Sequence, residues 1–131
     1  MTVLEDLGQY LQNNGIGTQA TDMFLAEMPT TPNNLVSIMD TGGPTSSTHE
    51  PTRQFTFQII VRNTDYATAM NKANAIRALL HTNDLTKKSE YDLVSGGTHI
   101  MTGKAIQEPY NLGQDEAQRY QIVTNYNFLT R

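Results

Sequence analysis

The chain contains no cysteine and no apolar run long enough to span a membrane. The lack of cysteine excludes a disulfide framework, a thiolate metal site and a cysteine nucleophile. The N-terminal segment carries acidic side chains before its apolar ones and has no basic region, which is not typical of a signal peptide. We therefore expect a protein that does not contact a membrane and that works in the cytoplasm or in a particle assembled there.

Basic residues are also few. Lysine and arginine number 9 against 13 acidic residues, which gives a net charge of −4. Because no block of lysine and arginine is present, the chain lacks the electrostatic footprint of a protein that grips phosphates. Only 17% of the residues are charged, whereas Asn, Gln and Thr are plentiful. Such a neutral polar surface favours pairing across interfaces, as in an assembly.

The first half of the chain contains one helical pattern and three extended ones. Apolar residues at helical spacing predict a helix from Thr2 to Asn13. Short strands are predicted near Asp22 to Glu27 and from Leu35 to Asp40. The clearest alternation of apolar and polar residues, which includes Phe57, runs from Thr52 to Arg62 and predicts a central strand.

A second helix and a hairpin follow. Asp65 offers N-cap chemistry, and apolar residues from Tyr66 to Leu80 fall on one helical face, so a helix is predicted to end near His81. Ser89 to Val94 and Thr98 to Gln107 are predicted to pair around two adjacent glycines, which permit the positive φ of a tight turn.

The last strand is predicted from Arg119 to Leu129, after a turn-rich stretch from Glu108 to Gln114. Runs of adjacent strands favour an α+β domain, a mostly antiparallel mixed β-sheet with two helices packed on it. The predicted order is α-β-β-β-α-β-β-β. With 131 residues and 37% hydrophobic content, we expect a single domain over residues 1–131.

Only one motif offers a candidate for catalysis. Asp40-Thr41-Gly42, at the end of an apolar strand, is similar to the active-site triplet of retroviral-type aspartic proteases, in which two aspartates share a proton. It runs into Gly43-Pro44, and the strongest helix lies mid-chain where that nearly all-β fold needs strands. A strand that ends in an Asx-type turn explains the same residues.

The sequence offers no metal or cofactor site. His49, His81 and His99 lie far apart, and no carboxylate stands at the spacing of a metal-binding helix motif. His81 is explained by a favourable interaction with the C-terminus of the second helix. Phosphate-binding loops and hydrolase elbows are absent, so we expect no metal, no cofactor and no catalytic residue.

The segment from Thr41 to Pro51 is a candidate interaction loop, because its glycines and prolines give no period and no apolar anchor. We expect it to project from the body and to become ordered against a neighbouring subunit. Its residues are Thr41, Gly42, Gly43, Pro44, Thr45, Ser46, Ser47, Thr48, His49, Glu50 and Pro51.

Several of these motifs together resemble those of phage tail terminator and minor capsid proteins. The resemblance lies in the turn from Asp40 to Pro44, the proline-flanked loop and aromatic strand up to Ile59, and a helix that begins Asp65-Tyr66. Later positions of that helix continue the pattern; they are Lys72, Ala73, Ile76 and Leu80. The similar order of elements extends over nearly the whole chain.

The resemblance implies a structural virion protein, not an enzyme. Its expected form is a homo-oligomeric, hexameric ring that caps the tail tube at the head–tail junction, formed from subunits in the host cytoplasm. Its expected partners are the tail tube protein and the head–tail connector proteins, and DNA is expected to pass through the ring without specific binding. The alternatives are a dimeric aspartic protease using Asp40, or another small head-completion or binding protein.

Overall fold

The computed structural model describes residues 3–42, 53–81, 91–95 and 97–130. Two helices and seven strands lie within these ranges. The helices are α1 (Val3–Asn13) and α2 (Tyr66–Leu80). The strands are β1 (Met23–Leu25), β2 (Leu35–Gly42), β3 (Arg53–Asn63), β4 (Tyr91–Asp92), β5 (His99–Ala105), β6 (Tyr110–Gln114) and β7 (Tyr120–Thr130).

The seven strands form one sheet in the order β1-β2-β3-β7-β5-β4, and β6 pairs with β7. The β1–β2 pair is parallel, and the other pairs of described strands are antiparallel. The predicted α+β class and the predicted order of elements are therefore confirmed. The structure adds β6, which lies in the stretch predicted to be turns. Its backbone pairs with β7, although the burial of its side chains does not alternate.

The centre of the sheet is the pair of long strands β3 and β7. They pair without a break from Arg53↔Thr130 to Asn63↔Tyr120, which confirms the prediction that β3 is central. On one side of this pair, the ring of Phe57 stacks on Tyr126 at 5.1 Å and meets Phe128 edge-on at 4.8 Å. All three side chains are fully buried, so this aromatic cluster forms the middle of the core.

Helix α2 covers the aromatic cluster. Its N-cap is Asp65, whose carboxylate accepts a hydrogen bond from the Thr68 N–H at 3.0 Å, as the sequence predicts. Its small and apolar residues are buried against the sheet; they are Ala69, Ala73, Ile76 and Leu80. Tyr66 was expected on the same face but is 43% exposed, because it lies at the first turn and packs edge-on against Tyr120.

Helix α1 is tied to the β4–β5 hairpin by a buried carboxylate. Asp6 is 2% exposed and accepts hydrogen bonds from the N–H and the hydroxyl of Thr98, at 2.9 and 2.6 Å. Gly97 lies beside it, and a Cβ there would stand 2.3 Å from the Val94 side chain and 2.9 Å from Asp6. The hairpin is confirmed, but the expected positive φ is not found at Gly97, where glycine is needed for space instead.

The burial of Phe57 predicts the effect of removing its ring. Phe57→Ala should lower the free energy of unfolding by roughly 3–5 kcal/mol, because a cavity would open between Tyr126 and Phe128. The matched control is Phe55→Ala, in the same strand but only partly buried, which should cost less. Chemical denaturation measures both, and an equal loss in the two variants would contradict this account of the core.

Candidate functional site

Both helices pack on the same side of the sheet, and the other side is the open face. Alternation along β2, β3, β5 and β7 points the second set of side chains to this face. Most are amides or hydroxyls that are partly or fully exposed. The open face comprises Met39, Thr41, Gln54, Thr56, Gln58, Thr102, Lys104, Asn125, Asn127 and Leu129.

One end of the same side is covered by the β1–β2 connection, which two arginines hold in place. The Arg62 guanidinium, from a residue 3% exposed, donates to the carbonyls of Thr30, Pro32 and Asn33 at 3.1, 2.6 and 3.2 Å. Arg119, which is 8% exposed, donates to the Thr30 carbonyl as well. These contacts, called the arginine clamp below, fix the loop across the sheet.

Asp115 orients the second arginine of the clamp. Its carboxylate accepts from the Arg119 guanidinium at 2.9 and 2.8 Å, and from the backbone N–H groups of Ala117 and Arg119. The hydrogen bonds from Arg119 hold the pKa of Asp115 below its ordinary value. Burial, and then the nearby charge of Arg119, lower the pKa of Arg62. The β6–β7 turn and the β1–β2 connection are thus joined through charged groups.

The outer edge of β5 and β6 carries exposed apolar side chains. Ile106 and Leu112 are each 57% exposed and Tyr110 is 41% exposed; these three residues are called the edge patch. β5 and β6 both run antiparallel to β7, and the four residues 106–109 separate them opposite Thr124 and Asn125. A bulge between Asn111 and Gln114, with Gly113 at φ +101°, distorts β6 further.

The candidate interaction loop falls mostly outside the described residues. Its first two residues, Thr41 and Gly42, belong to β2 instead of the loop, because Gly42 pairs with Thr56 and the Thr41 hydroxyl donates to that of Thr56 at 3.0 Å. Residues 43–51, from Gly43 to Pro51, are not among those described. Strand β2 precedes this segment and strand β3 follows it. β2 ends, and β3 begins, at the same end of the sheet.

Asp40, the candidate catalytic residue of the alternative reading, lies inside strand β2 and not in an Asx-type turn. It pairs with Phe57, and a register shift follows it before Gly42. The strand continues because Gly42 still pairs with β3. The mid-chain helix that argues against the nearly all-β protease fold is present as α2.

The histidines are not brought together. His99 Nδ1 lies 2.7 Å from Asp92 Oδ1 across the β4–β5 pair, and the described residues contain no cluster of three His, Asp or Glu side chains. His81 caps α2, but its Nδ1 accepts from the Ala105 N–H at 3.0 Å, and burial lowers its pKa. His81 therefore lies at the C-terminus of α2, as expected, but an accepting Nδ1 requires a neutral ring, so its side chain adds no positive charge there. His49 lies outside the described residues.

The comparison with protein families decides the identity. The family model described as "Bacteriophage tail terminator protein" matches residues 10–130, which include every strand of the sheet and helix α2. The chain belongs to the bacteriophage tail terminator family. No curated protein gives a significant match.

Membership in the tail terminator family makes this a structural protein of the phage tail, associated with the virion and in contact with other virion components. The family is not one of enzymes. Neither helix in the described ranges is long and apolar enough to cross a membrane.

The clamp and the edge patch were not found from the sequence of this tail terminator. Arg62 falls on the polar side of the alternation in β3, with Thr56 and Gln58, so no sequence signal indicated that its guanidinium is buried. Tyr110 and Leu112 lie two residues apart, as in a strand, but Pro109 and Gly113 beside them favour turns, so the edge patch was not predicted.

The clamp predicts a difference between two arginines. Arg119→Gln should lower the free energy of unfolding by roughly 1–3 kcal/mol, because the Thr30 carbonyl and the Asp115 carboxylate lose their charged donor. Arg77→Gln is the control. It removes a surface pair with Glu108 at 3.4 Å and should cost roughly 0–1 kcal/mol. Urea denaturation compares them, and a larger loss for Arg77→Gln would contradict the clamp.

Proposed function

We propose that this tail terminator caps the tail tube as a hexameric ring and provides the surface that joins the tail to the head–tail connector. Residues 1–131 act as one terminator domain in each subunit. Subunits form in the host cytoplasm and enter the virion at the head–tail junction. DNA passes through the ring without specific binding, which is consistent with a net charge of −4.

The edge patch is the observation that most supports the proposal that subunits form a ring. Three large apolar side chains, two of them more than half exposed, lie within seven residues of chain at the outer edge of the sheet. Grouped exposed apolar side chains of this kind mark sites of protein association, and tyrosine is enriched at such interfaces. We therefore assign the edge patch to the contact between neighbouring subunits.

The edge itself favours side-chain packing over continuation of the sheet. Pro109 lacks an N–H, the interruption at 106–109 breaks the line of β5 and β6, and the bulge at Gly113 twists β6. These features discourage a strand of a neighbour from pairing with this edge. A ring that closes with a fixed number of subunits needs one defined contact between neighbours. A sheet that continued from subunit to subunit would not fix that number.

The two ends of the sheet differ, as a ring with two different partners requires. The arginine clamp and the β6–β7 turn, which contains Asp115, lie at one end. Gly42 and Arg53, which flank the undescribed part of the segment from Thr41 to Pro51, and the last strand residue, Thr130, lie at the other. We assign the segment 41–51 to contacts with a neighbouring subunit, because two central strands fix both of its ends.

The ring predicts an oligomeric mass that depends on the edge patch. Native mass spectrometry of the wild-type protein should show about six times the chain mass of 14.6 kDa. Leu112→Glu should shift the mass to the monomer while the circular dichroism spectrum stays unchanged, because Leu112 is exposed in the subunit. Ala75→Glu is the control, since it adds the same charge at an exposed position of α2 and should leave the ring intact.

Two results would overturn this assignment. If the wild-type protein remains a monomer at high concentration, both alone and with tail tubes, it does not form a ring. A ring that survives Leu112→Glu and Ile106→Glu together places the subunit contact elsewhere.

The segment from Thr41 to Pro51 should gain protection when subunits assemble. Holding a glycine- and proline-containing segment in one conformation costs entropy that contacts with a neighbour offset. Hydrogen exchange should therefore slow at residues 43–50 in the ring relative to the isolated Leu112→Glu subunit, while amides of β3 serve as the unchanged reference. Equal exchange in both states, or normal assembly after deletion of Ser46 to His49, would show that the segment is not an assembly contact.

A further inference from the structure

We propose that the edge patch of one subunit packs against the opposite edge of the sheet in the next subunit, at Phe24 in β1. This inference rests on the proposed ring and adds the surface that receives the edge patch. A closed ring requires such a second surface, because each subunit of a cyclic assembly contacts its two neighbours through different parts of its own surface. An edge patch that packed on its own copy would close a dimer instead.

Tyr110 and Phe24 stand at the two ends of one row of side chains across the sheet. Tyr110 is paired with Val123, Val123 with Ile60, Ile60 with Ser37, and Ser37 with Phe24. Because residues paired across neighbouring strands point to the same face of a sheet, both aromatic side chains lie on the side opposite the helices. Subunits placed edge to edge therefore bring Tyr110 of one to the level of Phe24 of the next.

Phe24 is available for such a contact. It is half-buried and lies outside the hydrophobic core, whereas Met23 before it is fully buried and Leu25 after it packs against the core. Met39, diagonally across from Phe24 on the same side of β2, is half-buried as well. An aromatic ring beside a flexible thioether offers apolar area that can adapt to the side chains of the edge patch.

The contact is made by side chains, because the backbone at the outer edge of β1 is already hydrogen-bonded at Met23. Its N–H donates to the Thr18 carbonyl at 3.1 Å, and its carbonyl accepts from the Ala20 N–H at 2.9 Å. In the middle of the row, the Ser37 hydroxyl donates to the Glu27 carbonyl at 2.7 Å, so the β1–β2 connection crosses the row between its ends. Both edges therefore discourage extension of the sheet and present apolar side chains instead.

The chain contains no cysteine, so single-cysteine variants can test the contact. β1 and β6 run in opposite directions, so Thr21, which precedes β1, and Leu112, which follows Tyr110, lie towards the same end of the sheet. Thr21→Cys and Leu112→Cys place thiols at exposed positions and keep both Phe24 and Tyr110. Subunits of the two variants are mixed before assembly and joined with a short bis-maleimide, and covalent dimers are measured on denaturing gels.

The control is a mixture of Leu112→Cys with Ala75→Cys, which carries its thiol at an exposed position of α2. The mixture of Thr21→Cys and Leu112→Cys should give covalent dimers at least tenfold above this control, and neither variant alone should exceed it. Phe24→Glu should in addition shift the native mass from the ring to the monomer, because it places a charge against the edge patch. Its circular dichroism spectrum should stay unchanged, since Phe24 lies outside the core.

Three results would overturn the inference. Dimers that Leu112→Cys forms by itself as strongly as the mixture would show that edge patches contact each other. Rings that yield no more dimers in the mixture than in the control, or that survive Phe24→Glu, would place the receiving surface elsewhere while the proposed ring stands. If the wild-type protein forms no ring, alone or with tail tubes, the proposed function fails, and this inference fails with it.

Discussion

The unbroken pairing of β3 with β7 is the constraint on which the rest of the structure depends. Eleven residues of each strand are in register, from Arg53↔Thr130 to Asn63↔Tyr120. Because side chains alternate across a strand, this single register sends Phe57, Tyr126 and Phe128 to the helix side and amides to the other. A shift by one residue would exchange the two faces. The core and the open face are therefore two consequences of the same pairing.

The features that the sequence predicted are those set by local periodicity. The alternation around Phe57, the helical spacing of Ala69, Ala73 and Ile76, and the capping carboxylate of Asp65 all act within a few residues, and the structure contains each element. Strand β6 was missed because Asn111 and Gly113 favour turns and because its pairing with β7 comes from the backbone. In β6, backbone pairing with β7 therefore outweighed the turn propensity of these residues.

The functional surfaces were harder to predict, because they depend on residues distant in sequence. The clamp joins Thr30 to Arg119, which is 89 positions away in the sequence, and no local sequence pattern predicts such a contact. The open face is visible in the sequence as polar residues alternating in β3 and β7, but its lack of carboxylates becomes evident only when four strands lie side by side. The edge patch likewise required knowledge of which strand is outermost. The resemblance to tail terminators, by contrast, was carried by short motifs and is confirmed by the family match.

In the proposed terminator, the apolar edge contacts neighbouring subunits, and the two different ends of the sheet contact the tube and the connector. The central claim is that this protein stops growth of the tail tube. The most direct test is polymerisation of the purified tail tube protein of the same phage, with tube lengths measured by electron microscopy. Addition of this protein should halt elongation and leave a ring at one end of each tube. Tubes that keep growing at the same rate, with no ring at either end, would contradict the account.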